Sequence, residues 1–372
     1  GAATSADNIR LAKVQSFIER NGLIWIADHT KLSDLSFASK TQLWGKDYKS
    51  YGFEYYSGGF YCLEQPHRGI DYGDDFATNF DWRNRHGANN PNSPYYDGDI
   101  EGSGWLSPLT CQLGCYENGV FSCGTEDDCP GNFRSAGTCW SFGPTAQVEA
   151  LANLYYNFHL DLDLSEQYPV CKEAEAYNWE SIKPWDPNYA LNYYWNGGVP
   201  YESCWPYTAG LDGCEPPCSE PMERVSINSY TCYNEHNHNE IGVDELKHLI
   251  MEKGPVAAAS IPDDDWITHC MLLVGWGTID EDSPGVSNLP DNFNDRWYGV
   301  TYWIYKNSYG VSSDHNMFDG YSYIIHDYTD EYHTQLHVPK SVFEIPVPIN
   351  VPGLSSSDIR CEDKDGDGYY YW

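Results

Sequence analysis

Cys139 has the setting in this sequence best suited to chemistry. It follows Ala136-Gly137-Thr138 and directly precedes a long helical pattern. A thiol attacks as its thiolate. The start of a helix, with unpaired N–H groups and the positive end of the dipole, stabilises that charge. A nearby imidazole does the same. The bland alternative is a cysteine that is simply buried or held in a disulfide. His269 precedes the apolar run Met271–Gly277. A polar ring there is costly unless it faces a site or a partner, although it is also a common strand residue. Asn307 lies between Lys306 and Ser308 at the end of a strand pattern, where it reads either as a turn residue or as a group that orients a neighbouring ring.

These residues need elements to hold them. From Cys139 to about Tyr156 the pattern is helical, with Val148, Leu151, Ala152 and Tyr155 on one apolar face and Pro144 near the start. Residues 6–20 read as another helix, stopped by Asn21-Gly22. Residues 186–195 and 243–252 read as two more, with Asp244 a candidate cap for the second. Val256–Ile261, Cys270–Trp276, Thr301–Lys306 and Tyr321–Ile325 are strand-like, and 83–136 is loop-like. Helices come first and strands later, which is an α+β order.

Composition narrows the function. The chain has 372 residues, long for one core, so one large domain with extensions or two domains is expected. Aromatic residues make up 16%, which rules out intrinsic disorder. No apolar stretch approaches the roughly 20 residues of a membrane helix. A formal net charge of -34 repels phosphate backbones and excludes a nucleic-acid partner. Thirteen cysteines point to an oxidising compartment, hence a secreted protein. If one is a reactive thiol, the others form at most about six bridges. The spacings of Cys111, Cys115, Cys123 and Cys129 favour disulfides over zinc. Residues 1–5 are not a signal peptide, and the absence of an Asn-x-Ser/Thr sequon leans towards a bacterial source.

Gly137-Thr138-Cys139-Trp140-Ser141-Phe142 resembles the Gly-Ser-Cys-Trp-Ala-Phe signature of papain-like cysteine peptidases. Further blocks follow in the family's order. Leu164-Ser165-Glu166-Gln167 with Cys171 resembles its Leu-Ser-Glu-Gln…Cys, and Trp205-Pro206-Tyr207 its Tyr-Pro-Tyr. Gly254-Pro255-Val256 matches Gly-Pro-Val. The run from Thr268-His269 to Gly277 resembles Asn-His-Ala-Val-x-x-Val-Gly-Tyr-Gly. Tyr302 to Gly310 resembles Tyr-Trp-x-x-Lys-Asn-Ser-Trp-Gly. The resemblance implies a papain-like fold of two lobes, one helical and one β-barrel-like. It makes Cys139 the nucleophile, His269 the general base and acid, and Asn307 the group that holds the imidazole. No cofactor is required. Protein or peptide substrates are the implied partners.

The departures carry their own expectations. The family places a Gln six residues before the nucleophile, but that position here is Phe133. Leu106 to Cys115 resembles the family's Val-Thr-Pro-Val-x-x-Gln-Gly-x-Cys, so Gln112 takes the oxyanion role and residues 116–136 are an insertion. The Gly-Cys-Asn-Gly-Gly block is missing after Cys171. Cys115 must then find a partner inside the insertion. Cys171–Cys214 is the bridge implied by resemblance. Trp140, Ala258, Ile267, Cys270 and Tyr309 fall at substrate-side positions, with Tyr309 replacing the Trp that shields the Asn–His bond. Cys270 also reads as a buried free thiol, which would spoil a six-bridge count.

The ends differ in character. His29-Thr30-Lys31-Leu32-Ser33-Asp34-Leu35 resembles the propeptide motif Asn-x-Phe-x-Asp-Leu, so residues 1–79 are expected to be a pro-segment lying in the cleft. The peptidase domain is then 80–340, and 341–372 is a C-terminal extension. There, Asp363, Asp365, Asp367 and Tyr369 resemble the start of an EF-hand-type calcium loop whose twelfth position lies beyond Trp372; a solvated acidic tail is the alternative. Together these features predict a secreted cysteine endopeptidase made as an inactive precursor. An exopeptidase or transpeptidase on the same scaffold is expected if the insertion caps the cleft. A catalytically silent binding or adhesion module is the rival of a different class.

Overall fold

The computed structural model describes residues 15, 20, 79–87, 91, 104–234, 241–260, 269–279, 299–310, 320–325, 328–329, 335–336 and 338–359. The chain divides into two compact units, 1–50 and 51–372. In the first, Gln15 and Arg20 are described and both are helical. The rest of the expected pro-segment helix, the 29–35 motif and the acidic tail at Asp363, Asp365, Asp367 and Tyr369 lie outside the described residues. All other described residues belong to the second unit.

Helix α1, Cys139–Tyr156, is buried along its whole length. It ends at Asn157, whose φ of 57° is left-handed, a conformation that Asn tolerates better than most residues. A helix buried on every side must satisfy its polar side chains internally. Gln147 does so across two strands: its Nε2 donates to the Phe343 carbonyl at 2.7 Å, and its Oε1 accepts from the Ala257 N–H at 3.1 Å. Helix α2, Gln167–Tyr177, ends at Asn178, and its presence is not evident from the sequence pattern. Helix α3, Pro187–Asn196, starts with Pro at its first position and is capped by Asp186, which accepts from the Asn188 N–H at 2.8 Å. Helix α4, Val243–Lys253, matches the expected span at its start and runs one residue beyond it. Its cap is Gly242 rather than Asp244, because Glu245 reaches back to accept from the Gly242 N–H at 2.9 Å.

The strands are β1 Phe80–Asp81, β2 Leu113–Glu117, β3 Val120–Cys123, β4 Phe133–Ser135, β5 Val199–Pro200, β6 Arg224–Val225, β7 Thr231–Asn234, β8 Val256–Ser260, β9 His269–Thr278, β10 Thr301–Lys306, β11 Tyr321–Ile324, β12 Tyr328–Thr329, β13 Gln335–Leu336 and β14 Ser341–Glu344. Seven form one sheet in the order β11-β10-β9-β8-β14-β7, with β1 also paired to β9. Among the described residues this sheet is open, not closed as a barrel. Strand β9 is its centre and is buried almost throughout, as its unbroken apolar run requires. Helix α1 packs across β9 and β8. The crossing is tight: a Cβ on Gly143 would lie 2.7 Å from the Cys270 sulfur, so glycine lets the strand approach the helix. Trp82, Trp276 and Trp303 are fully buried, and Phe80 stacks on Trp276 with centroids 4.9 Å apart.

The stretch expected to be loop-like contains a three-stranded antiparallel sheet, β3-β2-β4. Cys111–Cys123 and Cys115–Cys129 staple it, so the partner of Cys115 lies between residues 116 and 136. Short strands of this kind hold little core, and cystines supply what packing does not. Cys171–Cys214 and Cys204–Cys218 are also bonded. Cys139 and Cys270 are both free thiols, so the chain cannot contain six bridges.

Candidate active site

Cys139 occupies the first position of α1, after Thr138. The Thr138 hydroxyl is tied to the Tyr207 hydroxyl at 2.7 Å. Cys139 is 7% exposed, and its sulfur receives N–H contacts from the backbone of Cys270, Trp140 and Cys139 itself. The contact from Cys270 places it against the amide that follows His269. These donors favour the thiolate, but burial outweighs them and pushes the thiol up.

His269 opens β9. Its Nε2 lies 2.9 Å from Asn307 Oδ1. An amide oxygen only accepts, so Nε2 carries the proton and, in the neutral ring, Nδ1 is the basic nitrogen. That Nδ1 is buried and without a hydrogen-bond partner. Burial holds the imidazole below its usual range, while the Asn307 bond acts in the opposite direction. The Tyr309 ring stacks on the imidazole at 4.8 Å with 7° between planes, and so covers the His–Asn pair where the family has a tryptophan.

The orientation of Asn307 is set by its neighbours. Its Oδ1 also accepts from the Ser308 N–H at 2.7 Å, and that atom must therefore be oxygen. Its Nδ2 donates to Ser322 Oγ at 3.0 Å, and its backbone N–H donates to the Gly320 carbonyl. Ser322 lies on β11 beside β10, with Tyr305 opposite it in register.

Gln112 is buried just before β2. Its Oε1 accepts from Ser308 Oγ at 3.1 Å. Its backbone is held by an N–H bond to the Ser308 carbonyl at 2.8 Å, and its carbonyl accepts from the Tyr207 hydroxyl at 3.2 Å. With the oxygen end engaged, the Nε2 amide is the end available to donate. Ser308 thus links Asn307 and Gln112 through adjacent atoms.

The other expected substrate-side residues behave differently. Trp140 is 0% exposed and donates its indole N–H to the Lys183 carbonyl at 3.2 Å. Ala258 and Cys270 are 2% and 0% exposed, with the Cys270 sulfur against Gly143. All three are thus buried in the intact chain. Ile267 lies outside the described residues.

A second polar cluster lies beneath the site. Lys306 is buried next to Asn307 and donates to Ser107 Oγ at 2.8 Å. Glu149 on α1 accepts from the Leu164 N–H at 2.8 Å. Burial pushes the Glu149 carboxyl up to about 7, against the opposing pull of Lys306, and lowers the Lys306 ammonium to about 8. Glu166 and Glu202 are raised as well, by burial first; nearby carboxylates reinforce both shifts. Sequence patterns give no sign of this cluster, since its members come from four separate segments. Among the described residues no group of three or more His, Cys, Asp or Glu is placed to hold a metal ion, and no helix is long and apolar enough to cross a membrane.

A thiol at a helix start, an imidazole whose proton is fixed on one nitrogen, and an amide held ready to donate can perform nucleophilic acyl transfer. Comparison with known proteins agrees with this chemistry. The chain is 27% identical over 196 residues to the viral cathepsin of Cydia pomonella granulosis virus, covering 48% of this chain and 49% of that protein. It is 27% identical over 195 residues to cathepsin Z of Onchocerca volvulus, covering 47% and 58%. The chain spans about half the length of the curated relatives it matches. Digestive procathepsin L 3 from Tenebrio molitor larval midgut aligns with a TM-score of 0.45 at 19% identity, over 92% of this chain and 89% of that one. The family description "Papain family cysteine protease" matches residues 131–339, which include Cys139, His269 and Asn307 and leave Gln112 outside. That match spans more than half of the 372 residues, and the chain belongs to the papain family of cysteine proteases.

Proposed function

We propose that this protein is a cysteine endopeptidase that cleaves peptide bonds through a thioester. Cys139 loses its proton to His269 Nδ1 and attacks the scissile carbonyl carbon. The oxyanion accepts from Gln112 Nε2 and from the Cys139 backbone N–H. His269 passes the proton to the leaving amine, and the peptide's acyl part stays on the sulfur. Water then loses a proton to His269, attacks the thioester, and the thiol is regenerated. Asn307 holds the Nε2–H so that Nδ1 keeps facing the reaction. No metal or organic cofactor enters these steps.

The observation that carries this reading is the His269–Asn307 bond, which leaves a buried, unpartnered Nδ1 on a strand whose next amide touches the Cys139 sulfur. The peptidase domain is assigned to 80–340, with 1–79 as a pro-segment whose removal activates it and 341–372 as an extension. The four cystines among the described residues support an oxidising, extracellular or secretory setting. The test is cleavage of internally quenched peptides with end-group analysis of the products. Cleavage within the peptide, abolished by Cys139→Ala and by His269→Ala, is expected. Release of terminal residues alone would mean an exopeptidase. Cleavage that survives Cys139→Ala would refute the assignment.

A further inference from the structure

The Asn307 carboxamide is buried and has little freedom, yet only part of its restraint comes from its own strand. Its oxygen takes two N–H groups, from His269 and Ser308. Its nitrogen donates to Ser322 Oγ, which arrives from the neighbouring strand β11 and is itself buried. A buried amide N–H that loses its acceptor turns towards another one. Turning would draw Oδ1 away from the imidazole.

We propose that Ser322 is a positioning residue for the reaction, holding Asn307 so that Oδ1 remains on the His269 Nε2–H. This rests on the peptidase reading above. Ser322 acts through Asn307 and His269, not on the substrate. The imidazolium formed when Cys139 gives up its proton is stabilised by that Oδ1. Without Ser322 the imidazolium gives up its proton more readily. Among the described residues the titratable side chain packed on His269 is Tyr309, stacked on the ring; Cys270, next in the strand, turns its sulfur to Gly143, and its backbone amide contacts the Cys139 sulfur. Lys306 is tied to Ser107 and feels the charge of Glu149, and the substitution at 322 does not alter either.

The experiment compares Ser322→Ala, Ser322→Thr and Ser322→Val, each produced as the full chain and then cut near residue 79 to release the pro-segment. Thr keeps the hydroxyl, and Val has the shape of Thr without it, so that pair separates the hydrogen bond from packing even if the Ala variant is poorly folded. Peptidase activity is measured against pH, and His269 is titrated by NMR in the same samples. The Ala and Val variants are expected to lose about 3–10-fold in kcat with KM within about 2-fold, the scale of one buried hydrogen bond. Their acid limb and the His269 titration should move towards acid by about half a unit, and Thr should restore both. A Val variant matching Thr in kcat and in the His269 titration would overturn the proposal. Should every form, including the unaltered chain after that cut, lack peptidase activity, the proteolysis reading fails by itself. The His269 titration then still decides: an acid shift in Val but not in Thr upholds the positioning role, and an unchanged titration overturns it.

Discussion

Replacing Gln112 with Ala tests the part of the site that lies outside the family match. Gln112 is fixed by three contacts: its N–H to the Ser308 carbonyl, its carbonyl from Tyr207, and its Oε1 from Ser308 Oγ. Truncation leaves the two backbone contacts in place, so the fold should survive. The lost group is one donor to the oxyanion. A donor of that kind is worth about 100–1000-fold in kcat, or about 3–4 kcal/mol of transition-state stabilisation, with little effect on KM. Gln112→Glu keeps the size but presents an acceptor to a developing negative charge, and it should be at least as damaging. Ser308→Ala keeps Gln112 and releases its Oε1, so a loss of about 3–10-fold is expected from loosened orientation. The assay is kcat and KM on one peptide substrate, with Cys139 alkylation confirming that the thiol remains reactive in each variant. A Gln112→Ala enzyme within about 3-fold of the original kcat would refute the oxyanion assignment.

Stability should fall as pH rises from about 4.5 to about 7, because the folded state keeps protons on Glu149, Glu166 and Glu202 that the unfolded chain releases. Glu149 alone contributes roughly 3 kcal/mol, and the melting temperature of the Cys139→Ala chain should drop by about 5–10 °C across that window; an equal or higher value at pH 7.5 than at pH 5 would contradict it. Lys306 acts oppositely at higher pH, its contribution growing from about 8 upwards. Gly143→Ala should destabilise by about 1–3 kcal/mol, since the new methyl meets the Cys270 sulfur at 2.7 Å, and adding Cys270→Ala should recover most of it in urea unfolding. Opening Cys171–Cys214 by paired Ser substitutions should cost about 2–4 kcal/mol, read by the same unfolding curve, because its cysteines are 43 residues apart in sequence.

The residues at the centre of the site are legible because each sits in a local pattern: Cys139 before a helix, His269 at the head of an apolar strand, Asn307 at a strand end. The observed α1, Cys139–Tyr156, and β10, Thr301–Lys306, have the expected bounds for the same reason. The insertion is harder to read. Two cystines and short strand pairing, not hydrophobic periodicity, give residues 113–135 their sheet. Helix α2 is hidden because its charged positions, Lys172, Glu173 and Glu175, mask a short apolar face. Ser322 and the Glu149–Lys306 cluster depend on tertiary neighbours far apart in the chain, which a single sequence does not pair. Resemblance puts Trp140 and Cys270 at substrate-side positions; their local contacts, the Cys270 sulfur against Gly143 and the Trp140 indole N–H on the Lys183 carbonyl, come from tertiary neighbours that the sequence does not pair.

Proton transfer from the Cys139 sulfur to His269 Nδ1 is the step on which the proposed chemistry depends. The most direct measurement is the rate at which a peptidyl epoxide alkylates Cys139 as pH is varied, in the chain cut near residue 79 to release the pro-segment, with and without His269→Ala. Such a transfer predicts rapid labelling at pH values well below an ordinary thiol pKa of about 8.5, and a loss of about 100-fold or more at those pH values when the imidazole is removed. Identical rate–pH curves for the two chains, each following a simple thiol titration, would contradict it.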